Sequence, residues 1–416
     1  MRRRIAQKVL NPEWHSLNVK PAELRIGVTL TNGQSFNWKR YPRPTENEGK
    51  NAQFYGALGD RVFLLRQTQD DVFFRVVAEP NTSGSHGVGE GERLRSAKEA
   101  LHDYFQLSVN LESLYTRWGE RSDKKFRSIA KALPGMRVVR QDPVECLFSF
   151  ICSSCNNIPR ITQMLDFLRS KYGDLLWKDK TAGVECYSFP TIETLANIPL
   201  TYNPKTNKPE AMPLRETGHS FGYRAESIVH TAQSLNGMTE PAGKDFLHGL
   251  RDCDHAAVRR ELLKFRGVGP KVADCVALFS LDQTSCVPVD THVWQIACRD
   301  FDPTLKDVTC TPGRHERVNN LFVDCFGDHA GWAHSVLFAA ELEQFYPHLP
   351  PQVVDEIVKG KQERKEGKAK KAKELAKKRK LKLETELNES VKLEVSEKSP
   401  KKKKSRTKKK IKAEAD

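Results

Sequence analysis

The chain has 416 residues and a formal net charge of +15, from 68 Lys and Arg against 53 Asp and Glu. The basic excess favours a polyanionic partner, while an apolar share of 38% predicts that part of the chain lies outside any folded core. No apolar run is long enough to span a membrane, and the ten cysteines lack the regular spacing of a secreted disulfide framework. We therefore expect reduced thiols in a nuclear or cytosolic protein that does not associate with membranes.

The amino-terminal region is predicted to form a domain over residues 1–130, built on an antiparallel sheet. Residues 24–30 alternate apolar and polar side chains, and Asn32-Gly33 then supplies a hairpin-type turn before a second strand at 35–38. Further strands are predicted at 62–65 and 72–77, with one flanking helix near 94–105.

The pattern then becomes helical and predicts a second domain over residues 131–350. Asp142-Pro143-Val144-Glu145 places an N-cap, a first-turn proline and a capping-box glutamate in register. Further helices are predicted over 158–172, 223–235, 256–265, 270–281, 291–299 and 330–342. Residues 199–217 are rich in Pro, Asn and Lys and are predicted to form a loop.

Residues 351–416 are predicted to be a disordered basic tail, with transient helix over 368–383. From Lys359 onward there are 24 Lys and Arg against 10 Asp and Glu, so the rest of the chain carries a net charge of only +1. The lysine runs at 376–380 and 401–410 resemble nuclear-import signals or nonspecific nucleic-acid contacts, although a merely solvating tail is the alternative. We expect a nuclear protein, and a basic amino terminus with no acid before Glu13 also permits mitochondrial import.

Residues 256–282 predict a helix-hairpin-helix whose turn is Gly267-Val268-Gly269. The unpaired N–H groups and the positive dipole end of the second helix can bind a DNA phosphate, directly or through a metal ion. Such contacts position DNA without reading its sequence. The alternative interpretation of the two glycines is a plain helix C-cap.

Lys271 and Asp290 are the candidate catalytic residues. Lys271 lies in the first turn of the second hairpin helix, where the dipole disfavours a positive charge, and a neutral amine can form a Schiff base. A solvated surface lysine is the alternative. Asp290 fits an N-cap and can also stabilise a sugar cation as a base departs. Cys275 follows Lys271 by one helical turn on the same face, and alone it indicates a core cysteine.

Together these residues resemble the signature of the eukaryotic 8-oxoguanine DNA glycosylase/lyase family, within the helix-hairpin-helix Gly/Pro-Asp superfamily. The motifs that carry the resemblance are GVGPKVADC at 267–275, VPVD at 287–290, GQSF at 33–36, QDPVECLFSFICSS at 141–154, GYRA at 222–225 and GWA at 331–333. The resemblance covers residues 20–345 and implies an α+β fold, in which the antiparallel sheet domain packs on a helical glycosylase core.

The resemblance implies that Lys271 attacks C1′ and expels the oxidised base, and that Asp290 supports the cationic transition state. It implies that the carbonyl of Gly33 accepts the N7–H that distinguishes 8-oxoguanine from guanine. The remaining implied contacts are Cys275, Phe338 and His334 in the base pocket, His292 on a phosphate, Tyr223 as a wedge beside the estranged cytosine, and Cys155, Asn156, Arg160 and Arg224 around that cytosine. Two residues depart from the family pattern, because glutamine usually stands at the position of His334 and asparagine at that of Cys155.

We therefore predict a monomeric, bifunctional glycosylase and β-lyase that acts on double-stranded DNA containing 8-oxoguanine opposite cytosine. We expect no cofactor and no metal. Cys298, Cys310 and Cys325 are too widely spaced for an iron–sulfur cluster, and the group Cys146, Cys152 and Cys155 is predicted to pack in a core. Two alternatives stay open: a monofunctional glycosylase for alkylated bases, and a noncatalytic DNA-binding protein that uses only the hairpin and the tail.

Overall fold

The computed structural model describes residues 13–41, 52–80, 90–122, 124–204, 207–219, 221–306, 308 and 311–397. The chain divides into two units, Met1–Val354 and Asp355–Asp416. The predicted domain bounds of 1–130, 131–350 and 351–416 stay predictions. Across the described ranges, no helix combines the length and the apolar character needed to cross a membrane.

A five-stranded antiparallel sheet occupies the amino-terminal region, as predicted. Its strands are β1 His15–Ser16, β2 Lys39–Arg40, β3 Gln53–Leu58, β4 Arg61–Gln67 and β5 Val72–Ala78, in the order β1-β5-β4-β3-β2. One face packs with Trp38 and Phe105, and the other packs against Trp177 and Cys186, which belong to a small two-stranded sheet later in the chain. Because both faces are covered, the central strand β4 is a run of buried apolar residues rather than an alternating one.

The predicted strand at 24–30 is wrong, because Ile26–Thr29 forms the short helix α1. Hydrogen bonds to residues far away in the sequence stabilise this helix instead of a strand. The Arg25 amide donates to the carbonyl of Gly135, and the Ile26 amide donates to the side chain of Gln67. The predicted strand at 35–38 is also absent, since β2 begins only at Lys39. Alternation alone cannot reveal such long-range hydrogen bonds.

Helices and two small hairpins make up the rest of the first unit. The helices are α2 Glu90–Tyr104, α3 Leu111–Arg121, α4 Lys124–Ala132, α5 Pro143–Ser153, α6 Ile158–Tyr172, α7 Ile192–Ala196, α8 Met212–Arg215, α9 Arg224–Asn236, α10 Gly243–Gly249, α11 His255–Leu262, α12 Pro270–Ser280, α13 Thr291–Ile296, α14 Pro312–Phe326 and α15 Ala330–Ala340. The hairpins pair β6 Leu175–Asp179 with β7 Val184–Tyr187, and β8 Thr201–Asn203 with β9 Lys208–Glu210. A π-helical turn, Ala297–Phe301, follows α13 where the sequence predicts α-helix to 299.

The predicted N-cap of α5 is confirmed, but the capping box is not. The Asp142 side chain accepts from the Glu145 amide at 3.0 Å. The Glu145 carboxylate instead pairs with the buried Arg169 of α6, because an available guanidinium binds a carboxylate more strongly than a backbone N–H does.

The predicted loop at 199–217 is only partly correct, since it contains the β8–β9 hairpin and helix α8. The buried carboxylate of Glu226 in α9 orders this segment. It accepts from the Ala211 amide at 3.0 Å and from Arg215 Nε at 2.7 Å. The composition of the segment predicts flexibility, whereas the pairing of β8 with β9 and the contacts of helix α8 with the buried Glu226 provide order.

Helix α16, Pro351–Glu397, includes the helix that is predicted over 368–383 of the basic tail. Lys, Glu, Ala, Leu and Arg dominate this segment and no proline interrupts it after Pro351, so its intrinsic helix propensity is high. Gln362 also donates to Glu366 at 2.7 Å, one turn further along. Residues 398–416, which include the predicted lysine-rich contact at 401–410, lie outside the described residues.

Candidate active site

A cleft between α5, α12, α15 and the turn before β2 brings together six of the predicted site residues. They are Gly33, Lys271, Cys275, Asp290, His334 and Phe338. The cleft is open to solvent, and the empty space within it is about 420 Å³. Its apolar walls are formed by Phe150, Phe279, Pro288 and Val293. A larger pocket of about 790 Å³ between the sheet and α6 contains none of the predicted site residues.

The hairpin that carries Lys271 forms as predicted and is fixed against α9. A side chain at Gly267 would place its Cβ 2.5 Å from Ser227 Oγ, so only glycine allows this approach. Val268 is buried in the turn, and Gly269 is the extended N-cap residue from which α12 begins at Pro270. The three predicted phosphate-binding residues therefore lie together at the start of α12, as the phosphate-binding interpretation requires.

Lys271 is half-buried inside the cleft, which rules out a freely solvated side chain. Its Nζ donates to Ser153 Oγ at 3.0 Å and lies 5.2 Å from the centre of the Phe150 ring. The Ser153 hydroxyl donates its own hydrogen to the Phe150 carbonyl at 2.7 Å, so a lone pair is directed at the amine. Ser153 thereby holds Lys271, although 118 positions separate the two residues and no local pattern indicates the contact.

Cys275 lies one turn beyond Lys271 and is buried beside it. Burial raises the pKa of the Cys275 thiol to about 12, and the neighbouring Lys271 only partly offsets this effect. The side chain is therefore a neutral thiol at pH 7 and supplies a polarisable wall to the cleft.

Asp290 caps α13 as predicted. Its Oδ1 accepts from the amides of His292 at 2.7 Å and Val293 at 2.9 Å. Both cap bonds use one oxygen, and the residue also lines the cleft. The same carboxylate can therefore be fixed by the helix terminus and still act on charge that develops in the cleft.

A rigid turn holds Gly33 at the wall of the cleft. Its φ of +87° belongs to the left-handed region, and an added Cβ would lie 2.6 Å from Ile158 Cδ1. The buried Gln34 anchors the turn, because its side chain donates to the Arg137 carbonyl at 2.8 Å and its own carbonyl accepts from Gln141 at 2.8 Å. Gln34 and Gln141 thus support the cleft wall, and no local residue pattern indicates this role.

His334 is 4% exposed and faces the cleft as a neutral ring. Burial lowers the pKa of His334 to about 4. Its Nδ1 lies 3.3 Å from the Gly331 carbonyl, which can only accept, so Nδ1 carries the hydrogen. Nε2 is then an acceptor, and it has no hydrogen-bond partner among the described residues. Phe338 lies beside this ring, with 6.2 Å between ring centres.

His292 lies at the start of α13 behind Phe338. Its ring meets that of Phe338 edge-on at 5.7 Å, and its buried Nδ1 lacks a hydrogen-bond partner within the described part of the chain. The predicted contact of His292 with a phosphate stays a prediction.

A second group of predicted residues surrounds the turn after α5. Cys155 is exposed with a φ of +48°. Tyr223 is 54% exposed and therefore is not a core aromatic residue, and its hydroxyl donates to the Ser154 carbonyl at 3.3 Å. The buried Arg224 uses Nε and Nη2 on the carbonyls of Ser154, at 2.9 Å, and Cys155, at 3.1 Å. In this structure Arg224 thus braces the turn, while its predicted bond to cytosine stays untested.

Asn156 and Arg160 lie just beyond this turn. The Asn156 side chain donates to the Cys152 carbonyl at 2.9 Å, which closes the end of α5. Arg160 lies half-buried in the first turn of α6, where its amide donates to the N-cap residue Asn157 at 3.1 Å. Their predicted roles at the opposite base stay predictions.

The cysteines considered for metal binding take different positions. Cys146 and Cys152 are buried in α5, as predicted for core residues, and burial raises the pKa of each thiol. Cys155 is an exception, because α5 ends at Ser153 and leaves it exposed. Cys298 is buried and Cys325 is partly buried, whereas Cys310 lies outside the described residues.

Comparison with known proteins supports the family that the sequence motifs indicate. Residues 16–147 match the family described as 8-oxoguanine DNA glycosylase, N-terminal domain. The chain is 37% identical over 335 residues to the N-glycosylase/DNA lyase OGG1 of Arabidopsis thaliana, covering 80% of this chain and 81% of that protein. It is 33% identical over 357 residues to the N-glycosylase/DNA lyase of Saccharomyces cerevisiae, covering 79% and 86%. The 8-oxoguanine glycosylase/lyase of Clostridium acetobutylicum, solved with double-stranded DNA containing cytosine opposite to 8-oxoG, has a TM-score of 0.59 at 25% identity, covering 77% and 92%.

Proposed function

Because the chain belongs to the family of 8-oxoguanine N-glycosylase/DNA lyases, we propose that its cleft removes 8-oxoguanine opposite cytosine from double-stranded DNA and then cleaves the strand. The observation that carries the proposal is the position of Lys271, half-buried in an apolar cleft, held by Ser153 and accompanied there by Asp290. A protein that only binds DNA needs neither an amine nor a carboxylate in such a cleft.

The reaction begins when the Lys271 amine attacks C1′ of the flipped nucleotide. The bond from C1′ to the base breaks, and the base leaves with the bonding electrons and accepts a proton. Asp290 stabilises the positive charge that develops on the sugar while its cap bonds hold it in place. The sugar ring then opens to a Schiff base on Lys271, and loss of a C2′ proton expels the 3′ phosphate by β-elimination.

Selection of the base rests on two acceptors at the cleft wall. The Gly33 carbonyl accepts the N7–H of 8-oxoguanine, and guanine would leave this acceptor unpaired at a cost of about 1–3 kcal/mol. His334 Nε2 accepts from a donor on the Watson–Crick edge of the base, since the neutral ring carries its hydrogen on Nδ1. One acceptor provides one hydrogen bond, whereas a glutamine amide can both donate and accept.

The turn at Ser154 and Cys155 faces the opposite strand together with Tyr223. Flipping a base costs a few kcal/mol of lost stacking and pairing, and an exposed aromatic side chain can fill the vacated space. Tyr223 suits this wedge role because it is 54% exposed, with contacts at its hydroxyl end and with the Arg224 guanidinium, 4.7 Å from its ring.

Borohydride trapping on a duplex with one 8-oxoguanine opposite cytosine tests the proposal. We expect a covalent complex with the wild-type protein and none with Lys271→Gln. Lys264→Gln is the matched control, because Lys264 lies on the same hairpin but its side chain is 64% exposed, and it should trap as the wild type does.

A monofunctional glycosylase would excise the base without a trapped complex, and a noncatalytic binder would retain DNA without excision. Trapping that persists in Lys271→Gln would show that another amine is the nucleophile. Tight DNA binding by Lys271→Gln, measured in parallel, separates a lost reaction from a lost fold.

A further inference from the structure

Behind the helix that carries Lys271 lies a buried cluster of side chains that the proposed reaction does not use. Its centre is Asp274 of α12, which is 2% exposed. His255 from the start of α11 approaches Asp274 Oδ1 at 3.5 Å, and His315 from α14 approaches Oδ2 at 3.4 Å. Cys286, from the segment between α12 and α13, completes the group, and its Sγ lies within 4.8 Å of the nearest ligand atoms of His255 and Asp274.

His255 Nε2 and the His315 nitrogens approach Asp274 without forming hydrogen bonds to it, whereas the Cys286 thiol donates to the backbone carbonyl of Asp274 at 3.6 Å. Within the described residues, His255 Nε2, Asp274 Oδ1 and both nitrogens of His315 lack a hydrogen-bond partner. Buried polar atoms are normally paired, because each unpaired group costs about 1–3 kcal/mol. Four unpaired atoms at one place therefore require an explanation.

The spacing of His255 and Asp274 fits a shared cation better than it fits a direct hydrogen bond. Zinc binds nitrogen and oxygen at about 2.0–2.2 Å and thiolate sulfur at about 2.3 Å in a tetrahedron, which places ligand atoms roughly 3.3–3.8 Å apart. The separation of 3.5 Å between His255 and Asp274 lies in this range and is long for a charge-assisted hydrogen bond. The ligand types are also suitable, since imidazole, carboxylate and thiolate are the groups that zinc prefers.

From this geometry we infer that His255 Nε2, Asp274 Oδ1 and Cys286 Sγ bind a divalent cation of the zinc class. His315 Nε2 lies 3.4 Å from the other carboxylate oxygen, at the position from which outer ligands of metal sites commonly orient a ligating carboxylate. This site is separate from the cleft and takes no part in the proposed reaction. It also departs from the expectation, based on the sequence, that the protein binds no metal.

The Arg259 guanidinium would compete with a bound cation for the Asp274 carboxylate. Its Nε lies 3.7 Å from the same Oδ1, and its side chain is 24% exposed, so it can move toward solvent when a cation binds. Binding also requires that Cys286 lose its proton, and burial raises the pKa of that thiol well above its ordinary value. Zinc binding should therefore release a proton and strengthen as the pH rises.

A bound cation would tie α11, α12 and the segment after α12 together and so fix the helix that positions Lys271. The expected effect is on stability rather than on chemistry, because none of the three ligands lines the cleft. Zinc should raise the thermal midpoint of the full chain while leaving single-turnover excision nearly unchanged.

The first measurement is the zinc content of the full, tag-free chain, determined by elemental analysis after dialysis against zinc chloride. The second uses bound cobalt(II) as a spectroscopic probe of the thiolate. We expect one zinc ion per chain, and a sulfur-to-cobalt charge-transfer band that disappears in Cys286→Ala. The variant His255→Gln, at a side chain that is 32% exposed, should keep the fold and should also lose stoichiometric zinc. His315→Ala should weaken zinc binding by about 10- to 100-fold, as outer-ligand substitutions do.

Two controls make the outcome decisive. Cys253→Ser removes an exposed thiol outside the cluster and should keep both the zinc and the cobalt band. Arg259→Gln should increase zinc affinity if the guanidinium competes for Asp274, whereas a simple buried ion pair would show only lost stability. No stoichiometric zinc in the wild type, or equal zinc in the His255→Gln/Cys286→Ala double variant, would overturn the inference and leave the glycosylase proposal intact.

Discussion

Gly33→Ala is expected to damage both the fold and the choice of base. An alanine at a φ of +87° costs about 1–2 kcal/mol relative to glycine in the left-handed region. Its Cβ would lie 2.6 Å from Ile158 Cδ1, which must retreat by about 1 Å to reach ordinary contact, and overpacking of this kind costs roughly 1–3 kcal/mol. The free energy of unfolding should therefore fall by about 2–5 kcal/mol.

Gly33→Ala should also reduce activity, because the added Cβ can displace the backbone of the Gly33 turn as well as the Ile158 side chain. A shift of about 1 Å in a positioning group costs on the order of 100-fold in rate. In the proposed mechanism the Gly33 carbonyl supplies a discrimination of about 1–3 kcal/mol against guanine, so the ratio of 8-oxoguanine to guanine excision should fall by about 5- to 150-fold. Single-turnover excision on matched duplexes with 8-oxoguanine or guanine opposite cytosine measures this ratio.

Two variants separate the backbone effect from the steric effect. Gly59→Ala has a similar φ of +58° but meets nothing within 4 Å, so it should lose only the backbone contribution and keep full discrimination. Gly33→Ala combined with Ile158→Ala should recover the overpacking contribution in a double-mutant cycle. If Gly33→Ala loses stability but keeps the wild-type excision ratio, the Gly33 carbonyl is not the element that recognises 8-oxoguanine.

Three further predictions concern His334, Cys155 and the tail. Because burial lowers the pKa of His334 to about 4 from 6.5, the unfolded chain binds a proton that the folded chain excludes between these values. The folded state should lose about 3 kcal/mol as the pH falls from about 6.5 to 4, and denaturant titrations of His334→Gln should lack this loss. Cys155→Asn should gain a few tenths of a kcal/mol, since asparagine tolerates a φ of +48°, and it should sharpen the preference for cytosine when excision is compared across the four opposite bases; an unchanged preference counts against a role for this position. Deletion from Lys359 should flatten the salt dependence of nonspecific DNA binding, and an equal slope with and without the tail would show that the tail does not touch DNA.

Local signals in the sequence predict the elements that carry the chemistry. The glycines, Pro270 and the caps at Asp142 and Asp290 determine where helices begin, and each of these features acts over four or five residues. Short-range rules therefore suffice to identify the hairpin and both candidate catalytic residues. The resemblance to a family supplied the roles of Gly33 and Tyr223, which residue patterns alone interpret as a hairpin glycine and a core aromatic.

Contacts between distant residues explain what the sequence does not predict. Ser153 meets Lys271 across 118 positions, and the Gly33 turn depends on the buried Gln34, whose partners lie about a hundred residues away. The same is true of α1, where a carbonyl from Gly135 replaces the expected strand neighbour. None of these pairs has a periodic or composition signal, because each depends on the tertiary fold that brings it together.

The charge distribution constrains how the folded body holds DNA. With a net charge of +1 outside residues 359–416, bulk attraction to the phosphate backbone is weak there. Binding by the body must then depend on fixed donors, such as the amides at the start of α12, rather than on a basic surface. Fixed donors do not reorganise when DNA binds, so at the proposed phosphate site they would hold the sugar at a defined distance from Lys271 as well as contributing to affinity. The proposed phosphate contact would then link binding to catalysis, because the hairpin turn is continuous with the helix that carries Lys271.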